Sequence, residues 1–286
     1  MKKENIKSEE KNKNLKRRIM KVLLFIGVFI LIVNLFGFFY DILTRNNKYF
    51  YGEKNLKIPI LVYHDIVNTK EEVEFDYMQT TKETFEKQIK GLMAFGYHPI
   101  SFKDLKEYKE GKKQIYKKSF LITFDDGYNG VYDIAYEFAK KYNIPMTVFI
   151  INEKVGTNAC FDWEKAKEMH DSKLMGIYSH SPNHKKYTDH SKEVLVEDVE
   201  NSYKELREKL EDEELLKVFC YPYGEYKDEM IKALEEKGYM QVLTYNKIND
   251  SNNLDLSRLH RIYPLEDSVF KMILKMKYRD LRYGTK

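Results

Sequence analysis

From residue 58 onward the chain alternates two kinds of segment, and this alternation limits the fold more than any other feature. Seven short runs rich in β-branched or aromatic residues read IPILVYH (58–64), SFLITF (119–124), MTVFII (146–151), MGIYSH (175–180), KVFCYP (217–222), YMQVLTY (239–245) and SRLHRIY (257–263). Runs of this length bounded by turn formers are strands. Between them lie stretches with apolar residues at helical spacing. Phe85, Ile89, Leu92, Met93 and Phe95 predict a helix over 82–95, and Val131, Ile134, Ala135 and Phe138 one over 128–142. Val194, Leu195, Val199, Tyr203, Leu206 and Leu210 predict a helix over 191–210, and Met230, Ile231 and Leu234 one over 226–237, capped by Gly238. Strands alternating with helices form a parallel sheet with crossover connections. The fold class is α/β, and seven strands predict a distorted, incomplete (β/α)7 barrel.

Parallel α/β folds collect their chemistry at the carboxyl ends of the strands. Those positions hold His64, the pair Asp125–Asp126, His180, Tyr221 to Gly224, and His260 with Arg261. The pair is costly, because two adjacent carboxylates at the end of an apolar strand repel each other and resist burial. His184 follows His180 by four residues on the loop leaving its strand. Two imidazoles so spaced, with one carboxylate from another strand, make a three-ligand set with room for water, as in catalytic zinc sites. A divalent cation would offset one carboxylate and lower the pKa of its coordinated water toward about 7, leaving the other carboxylate free to take a proton. The donor set suits zinc, and cobalt, nickel or iron also fit. The alternative is that Asp126-Gly127 is only a turn.

The motifs TFDDGY (123–128), SHSPNH (179–184) and YPYG (221–224) resemble the signature motifs of the polysaccharide deacetylases, carbohydrate esterase family 4, or NodB homology domain. The resemblance covers about residues 58–265. It implies a distorted (β/α) barrel in which Asp126, His180 and His184 bind the metal and Asp125 is the general base. The backbone at Tyr223 and Gly224 would bind substrate and hold the oxyanion. Many members carry an arginine two residues before the proline of the third motif, where this chain has Cys220. Arg261 is the candidate replacement, with a surface or structural ion pair as the alternative. Two histidines compete as general acid. His260 matches the late position used by many members. His64, in ILVYHDI, resembles the branch acting on poly-β-1,6-N-acetylglucosamine of biofilm matrix, and this reading favours it. Trp163 reads as a packing residue, with a sugar-stacking platform as the alternative.

The implied activity is hydrolysis of N-acetyl groups on N-acetylglucosamine units of an extracellular polysaccharide. Peptidoglycan is the alternative substrate, and a glycan-binding barrel without turnover is a reading of a different class. Nucleic acid is not an expected partner: the net charge is +4, and 49 basic residues are interleaved with 45 acidic ones. Cys160 and Cys220 form no metal-binding spacing and would pair only if the fold brings them together.

The amino terminus carries a separate expectation. Residues 1–21 are rich in Lys and Arg, and VLLFIGVFILIVNLFGFFY (22–40) is a continuous apolar stretch. About 20 such residues cross a bilayer as a helix. The bulky far end, Phe36 to Tyr40, fits an uncleaved anchor better than a cleaved signal peptide. The excess of basic residues before the span places 1–21 in the cytoplasm and the remainder outside. The expected organisation is a cytoplasmic segment (1–21), a transmembrane anchor (22–40), a linker (41–57) and a catalytic domain (58–286). The expectation is a single-pass membrane protein, with polysaccharide synthesis or export machinery as an expected associate.

Overall fold

The structure, a computed structural model, describes residues 16–29, 31–32, 34, 49–50, 56–74, 78–243 and 248–278. Packing divides the chain into residues 1–48 and 49–286. Residues 16–29 are helical and expose apolar side chains from Ile19 to Phe29. Among the described residues no helix is long and apolar enough to cross a membrane. Much of the expected 22–40 anchor, including residues 35–40, lies outside the described residues, as do 41–48 and 51–55 of the linker.

The second unit is built on a parallel sheet. Its strands are β1 (Ile60–Tyr63), β2 (His98–Pro99), β3 (Ser119–Phe124), β4 (Met146–Ile150), β5 (Met175–Ser179), β6 (Val218–Cys220) and β7 (Met240–Val242). The order is β7-β6-β5-β4-β3-β1, with β2 paired to the start of β3. Every side chain of β3 and β4 is buried. That is why these strands read as unbroken apolar runs rather than alternating ones. Connections run through helices: α1 (Lys82–Ala94), α2 (Phe102–Lys109), α3 (Glu137–Tyr142), α4 (Trp163–Asp171), α5 (Lys192–Leu210) and α6 (Asp228–Glu236), with α7 (Val269–Tyr278) after the sheet. Gly238, at φ +82°, ends α6: its N–H goes to Glu235 and that of Tyr239 to Leu234. This pattern satisfies two carbonyls the helix leaves open.

Two expectations need correction in detail. The 128–142 helix begins with a wide π-helical turn, Val131–Tyr136, before the α-helical Glu137–Tyr142. Such turns cluster near functional sites. Gly130 enters it so close to β1's exit that an added Cβ would lie 1.9 Å from the Ile66 carbonyl oxygen. The run 257–263 is not a regular seventh strand. Single parallel bridges join Leu259 to Val242 and Ile262 to Leu61, so this segment curls the sheet by linking its two edges. Between the bridges, the His260 backbone is held by the Asn249 side chain, which accepts from His260 N at 2.9 Å and donates to its oxygen at 2.9 Å. Backbone bonds tie Ile262 to Ile60 and Val62 and Leu259 to Gln241 and Leu243, and the Asn249 bonds fill the gap between them in a locally irregular closure.

Candidate metal centre and catalytic site

Strand β3 delivers Asp125 and Asp126 to the carboxyl end of the sheet, at 3% and 5% exposure. Asp125 N donates to the Tyr63 carbonyl at 3.0 Å, continuing the register with β1. The chain then turns sharply, with Asp126 at φ +72° and Gly127 at φ +88°. A left-handed aspartate is costly and marks a position held by its surroundings. The turn sends the two carboxylates in different directions, and each meets a different partner.

Asp125 meets Arg261. The guanidinium, 1% exposed, donates from both terminal nitrogens, to Oδ1 at 2.6 Å and Oδ2 at 2.7 Å. This two-pronged geometry is the strongest form of a carboxylate–guanidinium pair. Burial alone would raise the Asp125 pKa, but the charges of Arg261 and His180 and the Arg261 hydrogen bonds outweigh it and hold the group far below its ordinary value. The sequence-expected residue pairs with Asp125 from the closing segment. Cys220 takes the position where many family members carry arginine, its Sγ 4.0 Å from Asp125 Oδ1.

Asp126 faces the histidines. Its Oδ1 lies 3.7 Å from His180 Nε2 and 3.7 Å from His184 Nε2. This oxygen is buried and has no hydrogen-bond partner. An unsatisfied buried carboxylate oxygen is expensive, and here two imidazole nitrogens converge on it. The donor atoms of Asp126, His180 and His184 all lie within 4.8 Å of one another. A divalent cation would satisfy all three, so the donor set fits the implied metal. His180 is oriented from behind: its Nδ1 lies 2.8 Å from the Cys220 carbonyl oxygen. A carbonyl only accepts, so Nδ1 carries the proton and Nε2 presents its lone pair. The loop is shaped by Ser181, at φ +73°, whose Oγ accepts from His184 N at 2.8 Å. His184 packs edge-on to Tyr223, ring centroids 4.5 Å apart. Burial, followed by the charge of His180, pushes the His184 pKa down to about 4.

The remaining expected residues divide. Tyr223, at φ +58°, is 54% exposed at the rim, while Gly224 is buried with its N–H already given to the Tyr221 carbonyl at 3.0 Å. Of the two expected oxyanion donors, the Gly224 N–H is thus already committed within the turn. His64 stacks on Tyr263, centroids 6.0 Å apart. Its pKa is lowered: burial is the largest cause, the charges of Arg261 and His180 add to it, and those of Asp125 and Asp126 oppose it without outweighing it. His260 lies half-buried in the irregular closing segment, between the bridge at Leu259 and Arg261, with its backbone held by Asn249. Trp163 sits at the start of α4, half-buried against the core. Both cysteines are free thiols, Cys160 beside the Asp126 carbonyl oxygen at 3.8 Å. Sequence reasoning gave Tyr128 no role. Burial, followed by the charge of Asp126, raises its hydroxyl pKa, and its place as the last residue of TFDDGY was the available signal.

Comparison with known proteins agrees with this geometry. The family model described as polysaccharide deacetylase matches residues 112–242. The Bacillus subtilis protein YxkH, whose name assigns it to the polysaccharide deacetylases, is 30% identical over 210 residues, covering 73% of this chain and 72% of its own. The poly-β-1,6-N-acetyl-D-glucosamine N-deacetylase of Staphylococcus epidermidis is 28% identical over 238 residues, covering 79% of this chain and 80% of its own. Among solved structures, the Streptococcus pyogenes deacetylase PplD in complex with acetate superposes with a TM-score of 0.70 at 27% identity, over 78% of this chain and 99% of that one.

Two predictions follow from the charge balance. Arg261→Met strands a buried carboxylate and should cost about 3–5 kcal/mol of stability by urea unfolding. Asp125→Asn/Arg261→Met, which removes both charges, should recover much of that loss. A single variant as stable as the parent would show that the pair carries no such weight. The second prediction concerns pH in the metal-free protein. His184 has a folded pKa below its ordinary 6.5, so its contribution to stability is complete above 6.5 and is lost as pH falls toward about 4. Unfolding under chelator should show this decline, and His184→Gln should flatten it.

Proposed function

Because this chain belongs to the polysaccharide deacetylases, hydrolases that act on amide bonds, we propose that its substrate is poly-β-1,6-N-acetyl-D-glucosamine and its product a partly deacetylated, cationic polymer. The observation that carries the mechanism is the division of the acidic pair. Asp125 is held ionised by Arg261, and Asp126 turns an unpaired oxygen toward two histidines. The polymer assignment is supported by the relatives named for that substrate and by His64 at the end of β1.

When bound by Asp126, His180 and His184, the metal would polarise the acetyl carbonyl and acidify water. Asp125 accepts the proton of the attacking water. Its Arg261 clamp makes it a weaker base than a free carboxylate, but keeps it in its basic form and fixes its direction. Tyr223 N–H donates to the oxygen on which charge develops. His64 protonates the departing amine nitrogen, completing acetate release. Burial lowers its pKa, which favours giving the proton up, and the charges of Asp125 and Asp126 partly oppose that shift. The basic segment 1–21 and apolar run 22–40 support placing this chemistry outside the cell on a single membrane anchor.

Acetate release tests the reading. Residues 45–286 with added zinc should release acetate from β-1,6-linked N-acetylglucosamine oligomers, and a chelator should abolish it. Release from purified peptidoglycan alone would move the substrate to the cell wall. Metal binding without release from either would favour glycan binding. The general acid has its own test: His64→Ala should lower kcat by about 10²-fold or more, with His260→Ala near the parent. The reverse ranking would exchange their roles.

A further inference from the structure

The site holds a second set of donors that the mechanism above does not use as ligands together. Asp125, His180 and Cys220 are all buried, and their donor atoms lie within 4.8 Å of one another. Cys220 Sγ is 4.0 Å from Asp125 Oδ1, and His180 Nε2 is 3.9 Å from Asp125 Oδ2. Ligands on a tetrahedral ion with bonds of ~2.0–2.3 Å stand roughly 3.5 Å apart. The set therefore needs only a small contraction to close on an ion. His180 belongs to both donor sets. With Nδ1 tied to the Cys220 carbonyl, it has one free lone pair, on Nε2, so the two sets compete for it.

We infer that Asp125, His180 and Cys220 form an alternative site for a soft, thiophilic divalent cation such as cadmium, occupied in exchange for the Asp126–His180–His184 site. Ligand softness separates the two. A carboxylate with two imidazoles suits zinc, cobalt or nickel, and a set containing sulfur selects softer ions. On binding, the Cys220 S–H bond breaks, the proton leaves to solvent and a sulfur lone pair forms the bond to the ion, so no oxidant or reductant is needed. Arg261 clamps Asp125 directly beside the Cys220 thiol. Arg261 would also remain beside the new thiolate as a counter-charge. An ion seated here engages Asp125, so it would block the catalytic base as well as withdraw His180. The inference rests on the proposed function only in taking the first set as the working metal site.

The test is optical and independent of turnover. The purified, metal-stripped full chain is titrated with cadmium while the ultraviolet sulfur-to-cadmium charge-transfer absorption is followed. The band should appear in the parent, in His184→Ala and in Cys160→Ser, and be lost in Cys220→Ser. If Cys220→Ser does not fold by circular dichroism, Cys220→Ala gives the same readout. No band in the parent, a band that survives loss of the Cys220 thiol, or one lost with Cys160 would each overturn the site. Failure of acetate release would leave this absorbance unchanged, so the two readings fail separately.

Discussion

Two adjacent carboxylates are buried at the end of a strand that is itself buried throughout, and the surrounding structure is organised by how their charge is balanced. The positive φ of Asp126 is what makes a balance achievable, because it points the neighbours apart. One finds a guanidinium, and the other is left facing two imidazoles. Neither solution would serve for both. Two guanidiniums would leave no room for a metal, and one metal binding both carboxylates would leave no free base. The fold thus converts a local repulsion into two chemically distinct groups a few ångströms apart.

The supports of this arrangement are spread over the whole unit. Thr123 Oγ1 donates to the Leu61 carbonyl at 2.7 Å and sits 3.4 Å from the Arg261 guanidinium, linking β3, β1 and the closing segment. Behind the histidine loop, Ser179 and Ser202 hydroxyls meet at 2.7 Å, and Ser202 donates to Asn152 at 2.5 Å. Asn152 in turn bonds Glu205 on α5 at 2.8 Å. This buried polar chain ties the end of β5 to its crossover helix, so the histidines stand on a braced loop.

Much of this was legible in the sequence, for identifiable reasons. Strands buried on both faces announce themselves as apolar runs, and β3, β4 and β5 did so. The acidic pair and the two histidines were visible because charged and metal-ligating residues stood at strand ends. The short helices α2 and α4 and the terminal α7 were missed. The apolar stripes of α2 and α4 are only about three residues long, and α2 is set by a Ser101–Asp104 capping box rather than by periodicity. The π-helical turn was hidden because its cause, the close approach of Gly130 to Ile66, is a tertiary contact. The irregular closing segment was hidden for the same reason, since the Asn249 side chain holds the His260 backbone between two single bridges. Cys220 read as a gap in the arginine motif; only the fold shows that its thiol lies against Asp125.

The cation that balances Asp125 comes from a residue 136 positions further along the chain. During synthesis, Asp125 and both histidines emerge well before Arg261. A nascent or truncated chain lacking the last segment therefore holds the candidate metal donors but has no counter-charge for Asp125, and its sheet edges are not joined. Closure of the sheet and completion of the site are one event, late in the life of the new chain. The same few residues join the sheet edges and balance the buried charge, so a polypeptide that lacks them has neither.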